Sequence, residues 1–187
     1  MRTTASGTLY SSKEEVMAEK IYLPKPPDGY CFACGTNNPN GLKMQFFIKD
    51  NTLYSEITLK KEHEGWNGIA HGGIVCTILD ETMSWTVLYF QRSFIVTKTM
   101  EITFLRPVAI EDSYLCKGKI LENKDQEIKA QATLLSNEGK IMARSIGRFK
   151  VLSKDDMEAL SPKDLKRMEE WFSKVEMIIN PSSHRPR

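Results

Sequence analysis

The chemistry in this sequence centres on one glycine pair and two adjacent carboxylates. His71-Gly72-Gly73 closes the glycine-rich stretch Gly65-Trp66-Asn67-Gly68-Ile69-Ala70. It opens the apolar run Ile74–Phe90, whose only charges are Asp80 and Glu81. This order predicts a tight turn leading into a buried helix. Backbone N–H groups at a helix start lack intrahelical acceptors and can receive an oxyanion. Gly72 and Gly73 allow a ligand to approach the backbone closely. Asp80 falls about two helical turns further on. A carboxylate in so apolar a run is costly unless it is paired, solvated at a cleft or used. Neighbouring helical residues point about 100° apart, so at most one of Asp80 and Glu81 faces a given site. The plain alternative is that both mark an exposed stripe, but Thr77, Ser84 and Thr86 make that stripe discontinuous. His71 by itself suits a structural hydrogen bond as well as a catalytic one.

Other chemistries are absent. There is no G-x-x-x-x-G-K-[ST], G-x-G-x-x-G or G-x-S-x-G, so the common phosphate loops and the nucleophile elbow are missing. There is no H-E-x-x-H. The sequence has 3 histidines; His184 lies near the end, and His63 sits in a charged stretch that predicts exposure. Cys31 and Cys34 form a single C-x-x-C with no second pair at zinc-site spacing and no βαβ pattern around it. The expectation is a structural role in the loop, with no metal. Cys76 and Cys116 lie in apolar segments and read as small core residues.

The elements that must position these residues are legible from hydrophobic periodicity. Strands are predicted at Leu42–Lys49 and Thr52–Leu59 around an Asp50-Asn51 hairpin turn. After the helical run come strands at Phe94–Arg106, Ser113–Leu121, Glu127–Leu135 and Lys140–Val151. Ser136-Asn137-Glu138-Gly139 joins the last two as a turn. In Phe94–Arg106 the alternation places Phe94, Val96, Met100, Ile102 and Phe104 on one face, with Lys98 as the exception. Thr97, Thr99, Glu101 and Thr103 fall on the other. A helix is predicted at Ser161–Val175, with Ser161 as cap, Pro162 at the first position and Asp164 three residues on. A short helix around Lys13–Lys20, capped by Ser12, is also expected. Pro24-Lys25-Pro26-Pro27 reads as a stiff connector, and Asn180–Arg187 as a disordered tail. The sum is α+β, with an antiparallel sheet and one long helix. One helix cannot cover both faces of such a sheet, which favours a partner subunit.

Composition narrows the classes. The 187 residues suit one domain with appendages, and 41% hydrophobic with 27% charged residues excludes a disordered chain. The net charge of +2, from 26 basic and 24 acidic residues, gives no field for nucleic acid. No apolar run reaches about 18 residues, so no membrane-spanning helix is expected. The opening residues lack the pattern of a signal peptide. With 4 cysteines, too few for a disulfide scaffold, the expected setting is reducing and cytoplasmic.

The sequence resembles the hotdog-fold thioesterases of the phenylacetate-degradation type over about residues 30–152. The resemblance rests on His71-Gly72-Gly73 with Asp80 nine residues after the histidine. It extends to Glu64-Gly65-Trp66-Asn67-Gly68 and to Ile102-Thr103-Phe104-Leu105-Arg106-Pro107. The lead-in Cys31-Phe32-Ala33-Cys34-Gly35, with Asn38-Pro39 and Gly41-Leu42, resembles a subgroup of the superfamily. It implies a hotdog fold, a sheet wrapped around one central helix, with an N-terminal extension at 1–29, the hotdog unit at 30–152, and a C-terminal helix and tail at 153–187. It also implies a dimer or tetramer with active sites between subunits.

Residue by residue, the resemblance makes Asp80 the general base or nucleophile and Gly72 the oxyanion donor. His71 orients the loop or substrate, and Thr97, contributed by the other subunit, holds the attacking water. Gly73, Asn67, Glu81 and Arg106 are candidate substrate-binding residues. Some relatives carry asparagine six residues before the histidine, where Gly65 stands here; Asn67 is four before it. Lys98, Arg106, Arg144 and Arg148 are candidate cations for the phosphates of coenzyme A. The implied activity is hydrolysis of an acyl-CoA thioester without a cofactor. The alternative is a hotdog protein that binds acyl-CoA as regulator or carrier; a hydratase would need a different histidine–acid arrangement.

Overall fold

A computed structural model describes residues 19–26, 29–158 and 161–179. The helix expected around Lys13–Lys20 and the tail from Asn180 fall on or run into undescribed residues; Glu19 and Lys20, which are described, are not helical.

Seven strands form one antiparallel sheet: β1 (Ile21–Tyr22), β2 (Gln45–Lys49), β3 (Thr52–Thr58), β6 (Ile95–Phe104), β7 (Ser113–Lys124), β8 (Glu127–Ser136) and β9 (Ile141–Val151). Their spatial order is β1-β2-β3-β7-β8-β9-β6. The small hairpin β4 (Glu64–Trp66) and β5 (Ile69–Ala70) stands apart. The long helix α1 (Gly72–Gln91) packs against β3, β6, β7, β8 and β9. Its buried side, including Val75, Ile78, Leu79, Met83 and Val87, fills the concave face. Thr82 and Thr86 are also buried there, and each donates its hydroxyl to the carbonyl four residues back at 2.7 Å. That internal bond removes the cost of burying an unpaired hydroxyl.

The turn from β2 to β3 has the shape the sequence predicts. Asp50 and Asn51 both adopt left-handed φ, 48° and 53°, the twist that a two-residue hairpin needs. The predicted C-terminal helix is α3 (Pro162–Ile179), preceded by the short α2 (Lys154–Glu158). Asp164 N–H bonds to Ser161 Oγ at 3.1 Å, as expected of the cap. Trp171 and Val175 of α3 join the same core as α1. Trp171 meets Trp85 edge to face at 5.2 Å and donates its Nε1–H to Pro24 O at 2.6 Å. The N-terminal stretch, α1 and α3 are thus tied together at one end of the sheet.

Two sequence expectations are corrected. His63 is buried, not exposed, because it closes a 3₁₀ turn (Lys61–His63) and its Nδ1 accepts from Lys60 N–H at 3.0 Å. The alternation along β6 is interrupted by a bulge. Thr97 pairs with Phe149 and Thr99 with Arg148, leaving Lys98 as the extra residue. A bulge reverses the facing of everything beyond it. Thr97 therefore shares the inward face with Phe149, and so do Met100 and Ile102 after the bulge.

Candidate active site

Three elements meet at the start and middle of α1. The β4–β5 hairpin is clamped to its surroundings by backbone bonds from Ala70 to Val108 O at 2.8 Å and from Ile110 to Gly68 O at 3.1 Å. Its last link is His71 N–H to His63 O at 2.9 Å. The buried His63 thus anchors His71, a supporting role that its charged neighbours concealed in the sequence. Gly65 lies so close to His71 that a Cβ would sit 2.7 Å from the histidine Cα. Only glycine fits there, which accounts for its presence at the position where some relatives carry asparagine.

His71 is the N-cap of α1, in extended conformation (φ −60°, ψ 137°). Its Nδ1 accepts the Gly73 N–H at 3.0 Å. The Gly73 donor is therefore spent on the cap, and Gly72 N–H is the first helical amide without an acceptor among the described residues. A Cβ at Gly72 would lie 3.8 Å from the ring of Phe104, so that ring borders the turn.

Asp80 is half-buried on the side of α1 that faces β6. Thr97 donates its hydroxyl to Asp80 Oδ1 at 2.9 Å. Both residues belong to the same chain, so this pair is made within a subunit, whereas the resemblance implies a Thr97 supplied by the other one. The reason is its pairing with the buried Phe149, which turns Thr97 towards its own helix before the bulge that follows it. Burial raises the carboxyl of Asp80 above the usual aspartate value, and the Thr97 hydrogen bond opposes that rise.

Glu81 does not join Asp80. It points away, to a group the sequence did not associate with it: its Oε1 accepts from Trp85 Nε1–H at 3.0 Å and lies 3.7 Å from Cys31 Sγ. Burial pushes its carboxyl up to about 7, with the neighbouring Cys31 charge adding to the rise. Asn67 sits exposed at the tip of the β4–β5 hairpin beside Gly68, whose φ is +79°. No hydrogen bond connects it to Asp80 or the helix start among the described residues. Arg106 donates to Ile141 O and so fastens the end of β6 to β9. Lys98 and Arg148 both bind Glu127, at 2.9 and 2.8 Å.

A concavity of about 820 Å³ is lined by residues such as Tyr54, Phe90, Lys117 and Arg144, and includes neither Asp80, Thr97 nor Gly72. The surface around Asp80 and Thr97 is open in the single chain.

The Thioesterase superfamily model matches residues 67–143. A Saccharolobus solfataricus protein named as a candidate esterase is 29% identical over 98 residues, covering 52% of this chain and 69% of its own length. Among solved structures, zebrafish thioesterase superfamily member 2 aligns with a TM-score of 0.57 at 20% identity, over 64% of this chain and 90% of its own. The Escherichia coli PaaI protein of the phenylacetic acid degradation operon gives 0.56 at 16% identity, over 60% and 81%. A hypothetical thioesterase from Streptococcus pneumoniae, solved with coenzyme A, gives 0.52 at 19%, over 55% and 82%. The resemblance read from the sequence therefore holds: residues 67–143 match the Thioesterase superfamily model, and the sheet packed on α1 is a hotdog fold. No helix among the described residues is long and apolar enough to cross a membrane.

Proposed function

We propose that the protein hydrolyses an acyl-CoA thioester to the free acid and coenzyme A, with Asp80 as the reacting carboxylate. The observation that carries this reading is the Asp80–Thr97 hydrogen bond of 2.9 Å on a mostly apolar helix, capped by His71, whose only other charge is Glu81. The matched superfamily segment and the coenzyme A bound by the pneumococcal protein support the substrate class. In the general-base form, Asp80 takes a proton from water as the water oxygen attacks the thioester carbonyl. The C–S bond then breaks, and the thiolate of coenzyme A leaves. In the nucleophile form, Asp80 attacks directly and water resolves the acyl-enzyme. Thr97 fixes the Asp80 rotamer in either case. Gly72 N–H receives the carbonyl oxygen as it becomes an oxyanion.

The helix imposes a division of labour. Gly72 and Asp80 are eight residues apart on α1, or about 12 Å along the axis. A single carbonyl must lie about 3 Å from its oxyanion donor and close to the attacking atom. One chain cannot meet both demands. The complete site therefore takes Asp80 and Thr97 from one copy and His71 and Gly72 from a second. The exposed apolar residues Val96, Phe104 and Leu105 at β6 suit that contact.

Purified protein given a panel of acyl-CoAs and a thiol reporter tests the proposal. The expected outcome is release of coenzyme A, with kcat about 10²–10⁴-fold lower in Asp80→Asn. Unchanged hydrolysis in that variant overturns the assignment. Tight binding of an acyl-CoA without turnover favours the carrier alternative.

A further inference from the structure

A side of α1 about 100° round from Asp80 holds a second cluster that the proposed hydrolysis does not use. We propose that Cys31 Sγ, Cys34 Sγ and the Glu81 carboxylate bind one thiophilic divalent cation, zinc(II) being the ion this donor set suits. One ligand atom from each of the three residues lies within 4.8 Å of the other two. In a tetrahedral zinc site, with Zn–S about 2.3 Å and Zn–O about 2.0–2.2 Å, ligand atoms stand about 3.4–3.8 Å apart. The Cys31–Glu81 pair, at 3.7 Å, already has that spacing. Small side-chain rotations bring in the rest.

The loop is built to present its sulfurs. Gly35 N–H bonds to Cys31 O at 2.8 Å, closing the turn. A Cβ on Gly35 would come within 2.6 Å of both Cys31 N and Cys31 O, so the turn admits only glycine after the second cysteine. Cys31 is exposed and Cys34 half-buried, which leaves the ion a path from solvent.

The carboxylate side is equally specific. Glu81 lies in the apolar body of α1 and, among the described residues, no basic group stands within 4.0 Å of it. A carboxylate so placed calls for a cation. Trp85 Nε1–H donates to Oε1, the same oxygen that faces Cys31, and steadies its orientation, as outer partners do for metal-bound carboxylates. Two thiolates and a carboxylate around a divalent ion carry one net negative charge. The half-buried Lys25 amine, whose field is felt by Cys34, Glu81 and Cys31, offsets it. Among the described residues no fourth cysteine, histidine or acid joins the group, so the fourth position goes to water. The sequence spacing hides this arrangement because Glu81 is 50 residues from Cys31. Bound metal would fasten the loop after Gly29 to α1 one residue from Asp80.

The test uses untagged full-length protein, reduced and stripped with a chelator, then titrated with cobalt(II) and with zinc(II) against a chromophoric competitor. The expected result is one ion per chain, a thiolate-to-cobalt charge-transfer band that zinc(II) abolishes, and a higher melting temperature with zinc(II). Cys31→Ser removes the band, and Cys34→Ser does the same if it folds by circular dichroism. Glu81→Gln keeps the Trp85 bond and weakens binding at least about tenfold. Less than a tenth of an equivalent bound to reduced protein overturns the proposal. So does a band that survives Cys31→Ser, or Glu81→Gln binding with unchanged affinity. The thioesterase reading is decided separately, by hydrolysis.

Discussion

A hydroxyl 2.9 Å from a carboxylate fixes one of its rotamers and favours its ionised form. Thr97 does this for Asp80, which burial would otherwise incline towards the neutral acid. Thr97→Ala should therefore lower kcat by about tenfold, the equivalent of about 1.4 kcal/mol, with KM little changed. Thr97→Ser should restore most of the loss. Steady-state kinetics on any hydrolysed acyl-CoA checks both; a Thr97→Ala enzyme with full kcat would remove the residue from the mechanism. The placement of His71, Gly72 and Asp80 at the start and along the body of one helix was legible in the sequence because it depends on spacing alone. The facing of Thr97 was not. Period-two alternation assigned it to the wrong side, and the signal that could have corrected it was Lys98, a charge standing where the pattern required an apolar residue. His63 was misread for a similar reason: charged neighbours outweighed a buried ring that satisfies Lys60 N–H.

At the scale of elements, β2, β3, β6 to β9, α1 and α3 were legible, because outside the β6 bulge most strands alternate and turns carry their own residues, such as Asp50-Asn51 and Gly139 with φ +76°, whereas β1, β4, β5 and α2 are too short to show a period. The C-x-x-C loop was not legible as a partner of α1, since only the folded sheet brings Cys31 to Glu81. The short helix α2 offers a separate check on how the chain leaves the sheet. Its Asp156 accepts from Ser153 N–H and Oγ and pairs with Lys150 of β9 at 2.7 Å. The Lys150 hydrogen bond, first, and those from Ser153 hold its carboxyl down from 3.8 to about 2. A carboxyl depressed in the folded state stabilises it above the unfolded pKa and loses that contribution as pH falls through the folded value. The melting-temperature difference between the protein and Asp156→Asn should thus be constant above about pH 4 and vanish towards about pH 2. A difference that persists at the acid end would mean the ion pair is not its source.

For the whole molecule, the decisive quantity is the distance along α1. The same helix that carries Asp80 keeps its own N-terminus about 12 Å away, so the proposed site needs two chains. The exposed Val96, Phe104 and Leu105, at 47%, 53% and 48%, mark the edge where the second would sit. Subunit mixing tests this directly. Gly72→Pro deletes the proposed oxyanion donor but suits the first helical position, and His71 already has the extended ψ of 137° that a following proline requires. Gly72→Pro and Asp80→Asn should each be nearly inactive alone. Co-assembled in equal amounts, with hybrids verified by native mass spectrometry, they should recover about a quarter of wild-type activity, because half the dimers then contain one intact site of two. A mixture rich in hybrids but as inactive as its parents would contradict the account.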